Sequence, residues 1–141
     1  MLVKRLSSIE DQRVVGPNSS ELVITDPSWS QIESAIRQLD GKNRTMVILS
    51  QEIAEFEYMV VGGGKNGVYS CGVYDQQGRE FILIDPSKSS ATFIKVPTGQ
   101  PTTLSLRETI ELEDAIIAAK EYSETGERAE ELVWEERKSL Q

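Results

Sequence analysis

Between Thr45 and Pro97 the chain is written almost entirely in strands and turns, and no other stretch narrows the choice of fold as much. Five runs rich in β-branched and aromatic residues (Thr45 to Leu49, Ile53 to Val61, Val68 to Tyr74, Arg79 to Ile84 and Ala91 to Val96) are separated by turn-forming residues. Links this short join antiparallel neighbours, so the pattern predicts a meander. Asp75-Gln76-Gln77-Gly78 has hairpin-turn chemistry and Asp85-Pro86-Ser87 marks a wider turn. The stretch Gly62 to Gly67 can supply the positive φ values a loop between strands needs. In the second run Glu55, Glu57 and Met59 alternate with Phe56, Tyr58 and Val60, which predicts one wet face.

Helical periodicity flanks this block on both sides. After a short strand at Leu22 to Thr25, Asp26 can cap a helix with Pro27 at its first position, and Trp29, Ile32, Ile36 and Leu39 recur on one face before Gly41 ends it. Downstream, Leu112, Ala115, Ile116, Ala119 and Tyr122 form an apolar stripe. Glu113, Asp114, Lys120, Glu121 and Glu124 face outward, and Gly126 is the stop. Leu132-Val133-Trp134 can add a last short strand or dock Trp134 on the core. The expected architecture is therefore α+β over residues 1–141, an antiparallel β-meander of about five to six strands packed by two helices. Residues 1–21, an apolar start at Leu2 to Leu6 followed by a polar stretch with Gly16-Pro17-Asn18-Ser19-Ser20, form a partly irregular lead-in, and 137–141 a frayed tail.

At 141 residues, with 38% hydrophobic and 27% charged residues, the chain has the balance of one globular domain. Its formal net charge of −8 repels phosphate backbones and anionic bilayers, so neither direct nucleic-acid binding nor membrane association is expected. A single cysteine, Cys71, and no visible export signal fit a reducing cytoplasm. The absence of histidine removes Ser-His-Asp and Cys-His catalysis and the commonest neutral-pH base. It also leaves no ordinary zinc ligand set, so no metal and no cofactor are expected.

Two motifs tempt a functional reading and have plainer ones. Gly62-Gly63-Gly64-Lys65-Asn66-Gly67 evokes a phosphate loop, but it joins two strands and lacks the Gly-Lys-Ser/Thr ending that opens a helix. Cys71, within Tyr69-Cys71-Val73, has no activating base and reads as a buried thiol. The acidic residues form no Asp-x-Asp-x-Asp-Gly loop. Their distribution is uneven, however. Residues 107–141 carry eleven acids and five bases, six of the eight net negative charges. A negative end of this kind maintains solubility or complements a basic partner.

The run Ala115-Ile116-Ile117-Ala118-Ala119-Lys120-Glu121-Tyr122-Ser123-Glu124-Thr125-Gly126-Glu127-Arg128, followed by Val133-Trp134-Glu135, resembles the end of a bacterial immunity-protein family. That family is the first-numbered of the Imm families and accompanies deaminase-type toxins in polymorphic toxin systems. The resemblance extends over about residues 22–136 and includes the early helix, the meander and the glycine-rich turn. Ser123 departs from it, standing where the family often has a large aromatic residue.

The resemblance implies an immunity protein that binds and neutralises a cognate toxin in the cytoplasm, a nucleic-acid deaminase whose basic cleft it blocks, without catalysis of its own. Ala115, Ala119, Thr125, Gly126, Trp134 and Glu135 carry the signature and are expected to hold the fold, since a glycine after a helix and a buried tryptophan need no partner to explain them. Glu124, Glu127, Glu130 and Glu131 are the candidate toxin contacts. The alternatives are immunity to a nuclease or peptidase toxin, an adaptor role, and, furthest from the pattern, a carboxylate-based hydrolase.

Overall fold

The structure, a computed structural model, describes residues 2–10, 21–51, 57–98 and 100–137. The expected meander is present as β3 (Arg44–Ser50), β4 (Tyr58–Gly63), β5 (Tyr69–Tyr74) and β6 (Glu80–Ile84), each antiparallel to the next. Residues 52–56, including Glu55 and Phe56, the loop Gly16 to Ser20 and the tail 138–141 lie outside the described residues.

Three further strands extend the meander. The lead-in contributes β1 (Arg5–Glu10), which lies between β3 and β2 (Glu21–Thr25), and β9 (Val133–Arg137) pairs with β6. The sheet thus has seven antiparallel strands in the order β2-β1-β3-β4-β5-β6-β9. Trp134 takes both roles open to it: it lies in the final strand and packs partly buried against the core.

The fifth expected strand leaves this sheet. β7 (Phe93–Thr98) pairs instead with β8 (Gln100–Ser105), and Pro97 stands opposite Pro101. Proline has no N–H to give a central ladder, so both strands suit a separate two-stranded ribbon. This ribbon corrects the expectation of one wet face. The Met59 side of β4 is the buried one, with Met59, Val61, Val47, Leu49 and Cys71 in the core. On the opposite side Met46, Ile48, Tyr58 and Val60 line a groove whose other wall is Thr98, Thr102 and Leu104 of the ribbon. Gly62 sits where a Cβ would come within 2.6 Å of Thr98 Cγ2, so only glycine permits this approach.

Two helices cover the core face. α1 (Trp29–Arg37) buries Ile32 and Ile36 completely. Its cap is Ser28 rather than Asp26: the Gln31 amide donates to Ser28 Oγ and the Ser28 amide donates to Gln31 Oε1, a reciprocal box. Asp26 has φ +50° and Pro27 precedes the cap, so both lie before the helix. The helix also stops earlier than Gly41, because the Asp40 carboxylate accepts three backbone N–H groups from Lys42, Asn43 and Arg44 and organises the turn itself. The glycine loop packs onto that turn: Gly64, at φ +105°, would place a Cβ 2.4 Å from the Leu39 carbonyl oxygen.

The second helix, α2 (Leu112–Thr125), buries Ala115, Ala118, Ala119 and Tyr122 and ends at Gly126 with φ +75°. Small residues on that face let the helix lie close to the sheet, while each large aliphatic side chain buried beneath contributes roughly 1.5–3 kcal/mol. Arg37 of α1 bridges Glu33 at 3.0 Å and Glu113 of α2 at 3.2 Å. Both pairs are solvent-exposed and screened by water, so they add little to stability. No helix of the described residues is long and apolar enough to cross a membrane.

Candidate functional site

The acidic end of the molecule is built where α2 gives way to β9. Thr125, in the last turn, holds three groups: its hydroxyl donates to the Glu121 carbonyl at 2.9 Å and the Glu121 carboxylate at 2.8 Å, and accepts the Glu127 amide at 3.1 Å. Gly126 reverses the chain, and a Cβ there would press on Leu2 and Gln51 at 3.1 Å. The loop beyond is pinned from inside. Ala129 is buried, its carbonyl accepts the Trp134 indole N–H at 3.0 Å, and the Arg128 guanidinium lies 3.7 Å from the centre of the Phe81 ring.

The outcome is an open depression ringed by Glu121, Thr125, Glu127, Arg128, Glu130 and Glu131. Three of the four candidate contacts, Glu127, Glu130 and Glu131, converge there. Glu124 is exposed on α2 and does not line it. Glu121 and Arg128 do, although the sequence reading made neither a contact. The signal for Glu121 was its i, i+4 spacing to Thr125 on one helix face, whereas Arg128 depends on Phe81 from a distant strand.

Of the signature residues, Ala115 and Ala119 are wholly buried, and Thr125, Gly126 and Trp134 shape the loop as described. Glu135 is exposed and pairs with Arg107 at 3.7 Å. Ser123 is fully buried, and its hydroxyl has no hydrogen-bond partner among the described residues.

The groove between sheet and ribbon, about 340 Å³, is another concavity with polar side chains at close quarters. Tyr58 and Tyr74 stack with ring centres 4.6 Å apart, and the Tyr74 hydroxyl donates to Glu80 at 2.7 Å. Arg137 of β9 reaches Glu80 at 3.8 Å and also bonds Glu108, in the short turn after β8. Burial, and then the bond to Glu80, push the Tyr74 hydroxyl pKa up. For Glu108, burial works upward, but the bonds from Arg137 and the Ser105 amide outweigh it and hold the carboxyl below its ordinary range. That is the reverse of what a proton donor near pH 7 requires. These groups satisfy one another and latch β9 to β6. Cys71, beneath the groove, turns its side chain to the core face of the sheet, where burial pushes its thiol up to about 12, so it supplies no thiolate at neutral pH. Among the described residues no group of acidic, cysteine or histidine side chains is arranged to hold a metal ion.

A family model described as Immunity protein Imm1 matches residues 21–136. The match begins at β2 and ends in β9, so it takes in both helices, the ribbon and the acidic rim but not β1. None of the curated proteins compared matches the chain.

Proposed function

The chain belongs to the Imm1 immunity-protein family, and from that premise we propose that it neutralises a nucleic-acid deaminase toxin by laying carboxylates into the toxin's basic cleft. The observation that carries this reading is the ring of Glu121, Glu127, Glu130 and Glu131 around one depression, in a region holding most of the net charge. An enzyme that extrudes a base holds the flanking phosphates with cations, so carboxylates gathered on one loop can occupy those positions while the loop blocks entry of the base. The chain acts in the cytoplasm by binding, and the fold supplies stiffness. Thr125, Trp134 and Arg128 lock the loop that presents the glutamates, which reduces the entropy lost on association.

Electrostatic steering of this type speeds encounter roughly 10- to 10³-fold at low salt. Reversing Glu127, Glu130 and Glu131 to lysine together is expected to slow association with the toxin at least about tenfold at low ionic strength and to flatten its salt dependence, whereas reversing Glu124, outside the depression, should do less. Stopped-flow kinetics read both, and an unchanged low-salt rate rejects the assignment. The toxin's chemistry is tested separately. The neighbouring upstream reading frame should encode a protein ending in His-x-Glu and Pro-Cys-x-x-Cys, the residues that build a zinc-activated water. A nuclease or peptidase domain there would keep the immunity role and replace the deaminase.

A further inference from the structure

β2 bonds to β1 on one side and, among the described residues, to no strand on the other. The Asp26 amide donates to the Lys4 carbonyl on the β1 side at 2.8 Å. Successive backbone groups alternate sides along a strand, so those of Glu21, Val23 and Thr25 point outward. The middle of the strand, Leu22-Val23-Ile24, carries no charge, and Leu22 and Val23 are 59% and 40% exposed. Edges left open usually carry lysine, proline or a bulge to repel a visiting strand. Beside this one a groove of about 350 Å³ separates β2 from α1, with Leu6, Leu22, Ile24 and Ala35 on its walls among polar residues that include Ser34 and Arg44.

We propose that β2 is a dimerisation edge, through which two copies of the chain pair antiparallel about a two-fold axis at Val23 and join their sheets into one. In that register Val23 faces Val23 of the second copy, Leu22 faces Ile24 and Glu21 faces Thr25. Apolar residues meet apolar residues and no like charges stand opposite one another. The outward backbone groups of residues 21, 23 and 25 are the ones that meet. The pattern reads the same from either copy, as an isologous contact requires. A foreign strand would need no such self-complementarity. The charge distribution points the same way: β9 is the opposite edge of the sheet, so joining at β2 keeps the charged β9 edges of two copies, each with a net charge of −8, apart. A slip of one residue would turn Leu22 to the other face and lose the pairing with Ile24.

Sedimentation of the full chain should show a dimer fraction that grows with concentration. Val23→Lys should leave only monomer while circular dichroism and thermal melting stay those of the wild type. Cysteine cross-linking tests the register without relying on that variant. Directly facing Cα atoms in an antiparallel pair lie about 5.5 Å apart, within disulfide reach, whereas Leu22 and its own copy sit on a diagonal of about 7–8 Å. Val23→Cys should therefore form a linked dimer on mild oxidation at least about tenfold faster than Leu22→Cys, and Cys71, being buried, should stay out of the reaction. A wild type that sediments as monomer throughout, a Val23→Lys variant that still dimerises, or equal linking at the two positions overturns the proposal. Loss of toxin binding in Val23→Lys alongside a monomeric wild type assigns the edge to the toxin and likewise overturns it.

Discussion

β2 and β9 close the same sheet at opposite edges, and their chemistry is opposed. β9 reads Val-Trp-Glu-Glu-Arg, exposes Glu135 and Glu136, and is tied inward by Arg137 to Glu80 and Glu108 and by Trp134 to Ala129. β2 reads Glu-Leu-Val-Ile-Thr, exposes Leu22 and Val23, and among the described residues pairs with β1 alone. Exposed charge along an edge deters further strands, and an uncharged stretch such as Leu22-Val23-Ile24 lacks that deterrent. One edge is thus finished and serves to anchor the acidic loop; the other, among the described residues, has no strand beside it. The difference also shows what holds each in place, a polar latch on one side and apolar burial on the other.

Breaking the apolar side should have the largest effect. Leu6 of β1 is fully buried and faces Ile24 of β2, so Leu6→Ala is expected to cost about 2–5 kcal/mol in urea-induced unfolding and to loosen β2 before β9 in hydrogen exchange. Equal loss of protection at the two edges would mean that β1 does not separate them. On the other side, Trp134→Phe keeps most of the apolar bulk and removes the bond to Ala129. A cost of about 1 kcal/mol is expected, with faster exchange confined to residues 127–132.

The smallest effect concerns acid. Glu108 has a depressed folded-state pKa, so its contribution is present above the unfolded-state value and is lost as pH falls through the lower folded one. Trp134 fluorescence should therefore report a loosening of β9 on acidification below the ordinary carboxylate range, and Glu108→Gln should show the loosened signal already at neutral pH. An unaltered acid profile in that variant would remove Glu108 from the latch.

Much of this organisation is legible without coordinates. The meander from Thr45 to Ile84, the stripe of α2 and the stop at Gly126 follow from periods of two and 3.6 and from residues that tolerate positive φ, all of them local properties. β1 escaped because a short apolar start followed by polar residues has no periodicity to distinguish a strand from a lead-in. The ribbon escaped because the alternation that makes a strand does not say which neighbour it will find. Asp26 yielded its place as cap to Ser28 because both residue types accept the same backbone N–H, and only Ser28 has Gln31 three residues on to complete the box.

The candidate site divides in the same way. Its acidity, and Thr125, Gly126 and Trp134, stand in the primary structure, since charge and composition belong to the chain itself. The fold decided that Glu121 joins Glu127, Glu130 and Glu131 while Glu124 stays outside, and that Arg128 settles on Phe81. It also decided that β1, beyond the matched span, lies inside the sheet and leaves β2 at the edge. Those are contacts between residues far apart in sequence, set by which surfaces must be buried together.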